Sequence, residues 1–290
     1  MRIVHELKDG RISCAVLSEE VLNTSFAKQL KAAGIKCTVS LDPRSALYLA
    51  TGMAAQSGEW VVCVVSSTNT SRSVFSGMTE AYYRNLPVIL ITLGTELNYS
   101  NELKDAVCEH FVIGEDDSIE QVFKEKRPAH VELSIDCLKQ ELVDCDEIQS
   151  ILGEILSDSS YLYISAGIKK TAVDYSCKVV NGGMPGCYEG ALANVLGASL
   201  GQIRKKYIGL LSEKECLHDL NTLGNINVNE RLCYIVVLEE YNMTIIDYAK
   251  SLGYKVHCLD KESLNRKSLL EGISEKEKTI VLIRIQKRER

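Results

Sequence analysis

The chain has 290 residues, 46% hydrophobic and 25% charged, with a formal net charge of −6. That length suits one large domain or two ordinary ones of a soluble globular protein, and the mild negative charge argues against nucleic acid as the main partner. No apolar run reaches the roughly 18 residues of a membrane span, and the N-terminal MRIVHELKDGR lacks the apolar centre of a signal peptide, so neither a membrane nor export is expected. The 11 cysteines form no CxxC pair, and their odd number leaves no complete intrachain framework. Free thiols in a reducing cytoplasm are the expectation, with Cys63 and Cys233 serving as small buried hydrophobes. The basic QKRER at the C-terminus reads as a solvated tail.

Short β-branched runs alternate with segments of helical period along the whole chain. CAVLS, WVVCVVSS, PVILITLG and HVELSI predict buried parallel strands in the first half. YLYISAG, KYIGLLS, CYIVVLEE, YKVHCL and TIVLIRI predict them in the second. VLNTSFAKQLKAAG and YEGALANVLGASLGQIRKK carry helical spacing between strands. This alternation predicts doubly wound α/β sheets with helices on both faces. The acidic DCLKQELVDCDEIQSILGEILSDSS predicts a helical connector, and the domain boundary is placed near residue 148, dividing 1–147 from 148–290.

The segment SLDPRSALYLATGMAAQSG has a complete local explanation. Asp42 suits the N-cap of a helix, and Pro43 suits its first position, where a missing N–H costs nothing. Ala46, Leu49, Ala50 and Met53 are expected to face the core, and Gly58 to end the helix. Elsewhere, NGGMPG (181–186) is a glycine-rich turn able to cradle an anion but without dinucleotide or P-loop spacing.

These residues also resemble a family, the thiamine-diphosphate-dependent enzymes, most nearly the menaquinone-pathway carboligase (SEPHCHC synthase) and 2-oxo acid decarboxylase type. Asp42-Pro43-Arg44-Ser45-Ala46 is similar to that family's Asp-Glu-Arg-Ser-Ala. VVSSTNTSRSVFSGMTEAYYRNLPVILIT resembles its Ser-Gly-Thr turn, helix and strand, and RPAHVELSI its closing Gly-Pro-Val-His-Ile strand. GCYEGALANVLGASLG resembles the Gly-Ile-Asp-Gly segment, and ECLHDLNTL the Leu-His-Asp-Leu-Asn run, which implies that His218 and Asp219 belong to a packing helix rather than an acid–base pair. The resemblance implies two doubly wound parallel-sheet domains of thiamine-diphosphate-binding type, a pyrimidine-binding-like domain at 1–147 and a diphosphate-binding-like domain at 148–290, without the family's central domain.

The resemblance also implies a cofactor, thiamine diphosphate with magnesium, and the departures from the family pattern bear on it. The family's activating glutamate falls at Pro43, whose side chain can neither donate nor accept a proton; Asp42 is the neighbouring candidate catalytic carboxylate, one methylene shorter. Cofactor contacts are implied at Ser67, Thr68, Gly186, Cys187, Tyr188, Ser212 and Lys214. The metal-binding aspartate position falls at Glu213, within Ser212-Glu213-Lys214 where the family has Gly-Asp-Gly. The family's asparagine pair falls at Glu239 and Glu240, Glu239 lying 26 residues after Glu213.

Carboxylates therefore stand where neutral amides would face a diphosphate. Two unit charges about 5 Å apart at an effective dielectric of about 20 repel by about 3 kcal/mol, roughly a hundredfold in affinity. Thiamine diphosphate and magnesium are accordingly expected to bind weakly or not at all. The expected function is a thiamine-diphosphate-enzyme-like protein with a degraded cofactor site, which binds another small ligand in an inter-subunit cleft or a partner. The alternative is an active thiamine-diphosphate-dependent decarboxylase or carboligase using Glu213, Glu239 and Glu240 for metal and no activating glutamate. The family's shared site implies a homodimer or homotetramer.

Overall fold

The computed structural model describes residues 1–10, 12–66, 70–94, 103, 107, 109–114, 116–135, 142–183, 188–202, 204–273 and 276–285. It divides into two compact units, Met1–Lys139 and Gln140–Arg290. The boundary expected near residue 148 falls inside a helix, Asp146–Ile155, of the second unit.

The first unit runs α1 (Arg2–Asp9), β1 (Cys14–Ser18), α2 (Ser25–Ala32), β2 (Lys36–Ser40), α3 (Pro43–Ser57), β3 (Val61–Ser66), α4 (Thr70–Tyr83), β4 (Val88–Gly94), β5 (Glu109–Ile113) and β6 (Ala129–Ser134). Its six strands are parallel, in the order β2-β1-β3-β4-β6-β5. Ile3, Leu7, Phe26 and Leu30 of α1 and α2 bury one sheet face against Val62, Val64, Ile89 and Val131. Ala46, Leu47, Val74 and Met78 of α3 and α4 bury the other against Val16, Cys63, Val65 and Leu90. The doubly wound reading holds, because each strand buries alternate side chains under helices on opposite faces.

Helix α3 begins as its sequence implies. Asp42 Oδ1 accepts the Ser45 N–H at 2.8 Å, Pro43 occupies the first turn, and Gly58 closes the helix at φ 65°. Its buried stripe differs from the expected one. Ala46 and Ala50 are buried, but Leu49 is exposed and Met53 half-buried, while Leu47, Thr51 and Ala54 face inward. The helix is rotated so that its contact with β1, β3 and α4 runs through 46–47, 50–51 and 54.

The second unit contains α5 (Asp146–Ile155), β7 (Ser160–Ile164), β8 (Lys178–Asn181), α6 (Ala191–Gly201), β9 (Lys206–Ser212), α7 (Glu213–His218), β10 (Leu232–Leu238), α8 (Met243–Ser251), β11 (Lys255–Asp260), α9 (Arg266–Ile273) and β12 (Thr279–Arg284). Its parallel sheet has the order β11-β12-β10-β9-β7-β8. Numbered within each unit, the two sheets share the order 2-1-3-4-6-5. Helices α6, α7 and α8 cover one face and α5 and α9 the other. The eight described cysteines are free, with Cys63 and Cys233 buried as expected. Burial pushes the Cys63 thiol far up and that of Cys233 up to about 12, so both stay protonated hydrophobes. Among the described residues no helix is long and apolar enough to cross a membrane.

Candidate functional site

In a doubly wound sheet, the chain reverses its direction of travel beside the first strand, and the carboxyl ends of the strands there open a crevice. In the second unit this crevice lies between β7 and β9, which are paired from Ser160↔Lys206 to Ile164↔Leu210. Strand β7 ends into Ser165-Ala166-Gly167, and β9 ends at Ser212. Backbone N–H groups there have no strand partner ahead of them, so the place suits an anion.

A side chain of the protein fills it. Glu215 is 1% exposed, and its carboxylate accepts from four donors: Ser165 Oγ–H, the Gly167 N–H at 2.8 Å, the Ser212 N–H at 3.0 Å and Ser212 Oγ–H at 2.7 Å. Ser212 in turn caps α7 by accepting from the Glu215 N–H, completing a reciprocal capping box. Gly167 makes this possible, since a β-carbon there would stand 2.7 Å from Ser212 Oγ and 2.8 Å from Glu215 Oε2. A buried carboxylate is tolerated only when such donors replace its water.

The N-terminus of α6 is occupied in the same manner. Gly190 at its N-cap has no side chain to offer, and Asp219 Oδ2 accepts the Ala193 N–H at 2.8 Å from outside the helix. Asp219 Oδ1 also accepts from Thr222 Oγ–H at 2.9 Å. Asp219 thus holds α6 against the turn after α7, the packing role expected of this segment. The first unit repeats the arrangement more loosely, Glu20 Oε1 accepting the Ser66 N–H at 3.3 Å where β1 and β3 end.

Of the residues singled out from the sequence, Glu213, Glu239 and Glu240 line one open cavity of about 460 Å³ with Tyr241, Asn242 and Met243. Asn242 Nδ2 donates to Glu213 Oε1 at 2.8 Å, while Asn242 Oδ1 caps α8 through the Thr244 N–H. Asn242 is the residue that the sequence reading passed over; its signal was an Asn directly ahead of a helical period. Lys214 lies 5.9 Å over the Tyr188 ring, and Tyr188 packs on His218 with ring centroids 5.2 Å apart. Ser212 caps a helix, and Asp42 caps another. Ser67, Thr68, Gly186 and Cys187, with residues 184 and 185 of the 181–186 turn, lie outside the described residues.

Thiamine diphosphate with magnesium does not fit the second unit's described residues. The donors best placed for an anion already hold Glu215 and Asp219, and the neighbouring cavity is lined by three more carboxylates. Among the described residues, the one group of three His, Cys, Asp or Glu side chains gathered tightly enough to share a metal ion lies in the first unit.

Residues 2–120 match the family model for the thiamine pyrophosphate enzyme N-terminal TPP binding domain. No curated protein matches the chain by sequence. Among solved structures, the chain is similar to the thiamine diphosphate-dependent 4-hydroxybenzoylformate decarboxylase of Rhodococcus jostii RHA1, at 7% identity and a TM-score of 0.39, over 99% of each chain. It is also similar to a Mycobacterium smegmatis protein assigned as a thiamin diphosphate-dependent enzyme, at 9% identity and a TM-score of 0.41, over 99% of this chain and 100% of that one.

Proposed function

We propose that this chain is a thiamine-diphosphate-enzyme-like protein whose cofactor contacts have been taken over by its own side chains. In this reading it does not run ordinary thiamine-diphosphate chemistry and instead binds another small ligand or a partner. The observation that carries the reading is Glu215, whose buried carboxylate takes the donors of the β7/β9 crevice. Pro43 in the place of the activating glutamate, and the carboxylates of Glu213, Glu239 and Glu240 around one cavity, support it from independent positions. The exposed Val39, Leu41, Tyr48, Leu49 and Phe75 of the first unit support self-association as a homodimer or homotetramer. The eight described cysteines, all free thiols, support a reducing, cytoplasmic setting.

Calorimetric titration of the whole chain with thiamine diphosphate and magnesium tests the reading. No heat and no thermal shift up to millimolar cofactor is the expected result. Micromolar binding would overturn it and favour the active decarboxylase or carboligase, with Glu213, Glu239 and Glu240 serving the metal. A second variant separates lost contacts from a lost pocket. It combines Pro43→Glu, Ser212→Gly, Glu213→Asp, Lys214→Gly, Glu239→Asn and Glu240→Asn with Glu215→Ala, and gain of cofactor binding there is expected if only the contacts changed.

A further inference from the structure

A second polar cluster lies in the first unit. His110 on β5 and His130 on β6 are register partners, and Glu132 on β6 is the partner of Thr92 on β4. Strand alternation puts His130 and Glu132 on one face of the sheet, the face that buries Leu90 under α3 and α4. His130 is 1% and Glu132 4% exposed. Two imidazoles and a carboxylate at this depth are unusual in a sheet otherwise built of Val, Ile and Leu, and a buried carboxylate needs compensation.

The local contacts supply little of it. Glu132 Oε1 has no hydrogen-bond partner among the described residues, and His110 Nε2 stands 3.6 Å from it, beyond good hydrogen-bond reach. The two Nδ1 atoms of His110 and His130 are 3.0 Å apart, and the far side of the His130 ring is anchored, Nε2 lying 3.0 Å from Thr92 Oγ1. One ligating atom from each of His110, His130 and Glu132 can be chosen so that all lie within 4.8 Å of one another. A tetrahedral zinc ion, with bonds of about 2.0–2.1 Å, separates neighbouring ligand atoms by about 3.3 Å. The imidazole pair already approaches that spacing, and the longer carboxylate arm can close the rest by rotation. A hydroxyl fixing the nitrogen opposite the ligating one is the usual outer support of a metal-bound histidine.

We propose that His110, His130 and Glu132 form a binding site for a divalent transition-metal ion of the zinc class, with Thr92 as the positioning residue for His130. The chemistry of the donors agrees, since imidazole nitrogens and a carboxylate are ordinary zinc ligands. Two imidazoles and one carboxylate leave a coordination position open on zinc. The site is independent of the thiamine-diphosphate reading and stands or falls without it.

The test is zinc titration of the whole chain after chelator stripping, with cobalt(II) as the spectroscopic substitute. One ion per chain at micromolar or tighter affinity is expected, with the visible absorption of tetrahedral cobalt and no thiolate charge-transfer band. The missing band matters because the chain has 11 cysteines that could bind either ion elsewhere. Binding is expected to vanish in Glu132→Gln and in His110→Gln, the latter on an edge strand and half-buried, hence the variant more certain to fold. Thr92→Val is expected to weaken binding by about 10- to 100-fold. Absence of binding would identify the cluster as a neutral hydrogen-bonded core pair and overturn the proposal. A thiolate band, or binding unchanged in His110→Gln and Thr92→Val, would overturn it equally.

Discussion

Replacing Glu215 by alanine removes the acceptor for the N–H groups of Gly167 and Ser212 and for two serine hydroxyls. The hydroxyls can turn to other acceptors, but the two backbone donors cannot. A buried donor left without a partner costs about 1–3 kcal/mol. Loss of the reciprocal half of the α7 capping box adds a smaller amount, and water entering the vacated space returns some of it. The expected loss is therefore about 3–5 kcal/mol, and for a unit of this size the melting temperature should fall by roughly 10 °C. The only tryptophan, Trp60, lies in the first unit, so the second must be followed by circular dichroism or calorimetry. Acetate should recover part of the loss in Glu215→Ala while leaving the wild type unmoved, because it returns a carboxylate to the same donors. A loss below about 1 kcal/mol would refute the assignment of Glu215 as the group that satisfies this crevice.

Gly167→Ala should destabilise the same unit by about 1–3 kcal/mol in urea unfolding, since its β-carbon would press on Ser212 Oγ and Glu215 Oε2. Asp42→Ala should cost the first unit about 1 kcal/mol, the usual worth of an N-cap, read from the Trp60 fluorescence midpoint. Glu6 should make that unit acid-sensitive. Burial raises its carboxyl pKa, but the Ile119 N–H, the Arg2 guanidinium and the Ser118 hydroxyl outweigh burial and hold it below 4.5. Its contribution is thus present above the unfolded carboxyl value and lost as pH falls through the folded one. The stability gap between wild type and Glu6→Gln, measured by urea midpoints at pH 7 and near pH 4, should narrow in acid; a gap that widens would contradict the sign.

The sequence made the central strands legible because a strand between two neighbours and under helices on both faces must be apolar throughout. KYIGLLS is β9 to the residue, and CAVLS is β1. The strands it did not announce, β2, β5 and β8, are all sheet edges, with one neighbour each and mixed exposure that leaves no apolar run. Helix α3 shows a different limit. Its caps are local and were readable, whereas Leu49 and Leu47 are equally apolar and only the neighbours of the helix decide which is buried. Glu215 was half legible. Ser212-x-x-Glu215 is a capping-box pattern, but the donors from Ser165 and Gly167 come from a strand that ends some 50 residues earlier. The His110, His130 and Glu132 cluster left only a trace, polar residues alternating with apolar ones along the HVELS strand.

Under the proposed function, Glu215 and Asp219 would let the second unit keep its architecture without a cofactor. A crevice lined by convergent N–H groups is unstable when empty, because each donor taken from water must find an acceptor. In an enzyme that binds a diphosphate the ligand can meet that need, and stability then rises with its concentration. A carboxylate supplied by the chain meets it permanently, at the cost of closing the place to any other anion. On the proposed reading, the carboxylate that stabilises the fold is also what keeps a diphosphate out of the crevice. The corollary can be measured: the wild-type melting temperature should be the same with and without thiamine diphosphate and magnesium, and a ligand-dependent rise would mean that Glu215 yields its donors to the phosphate.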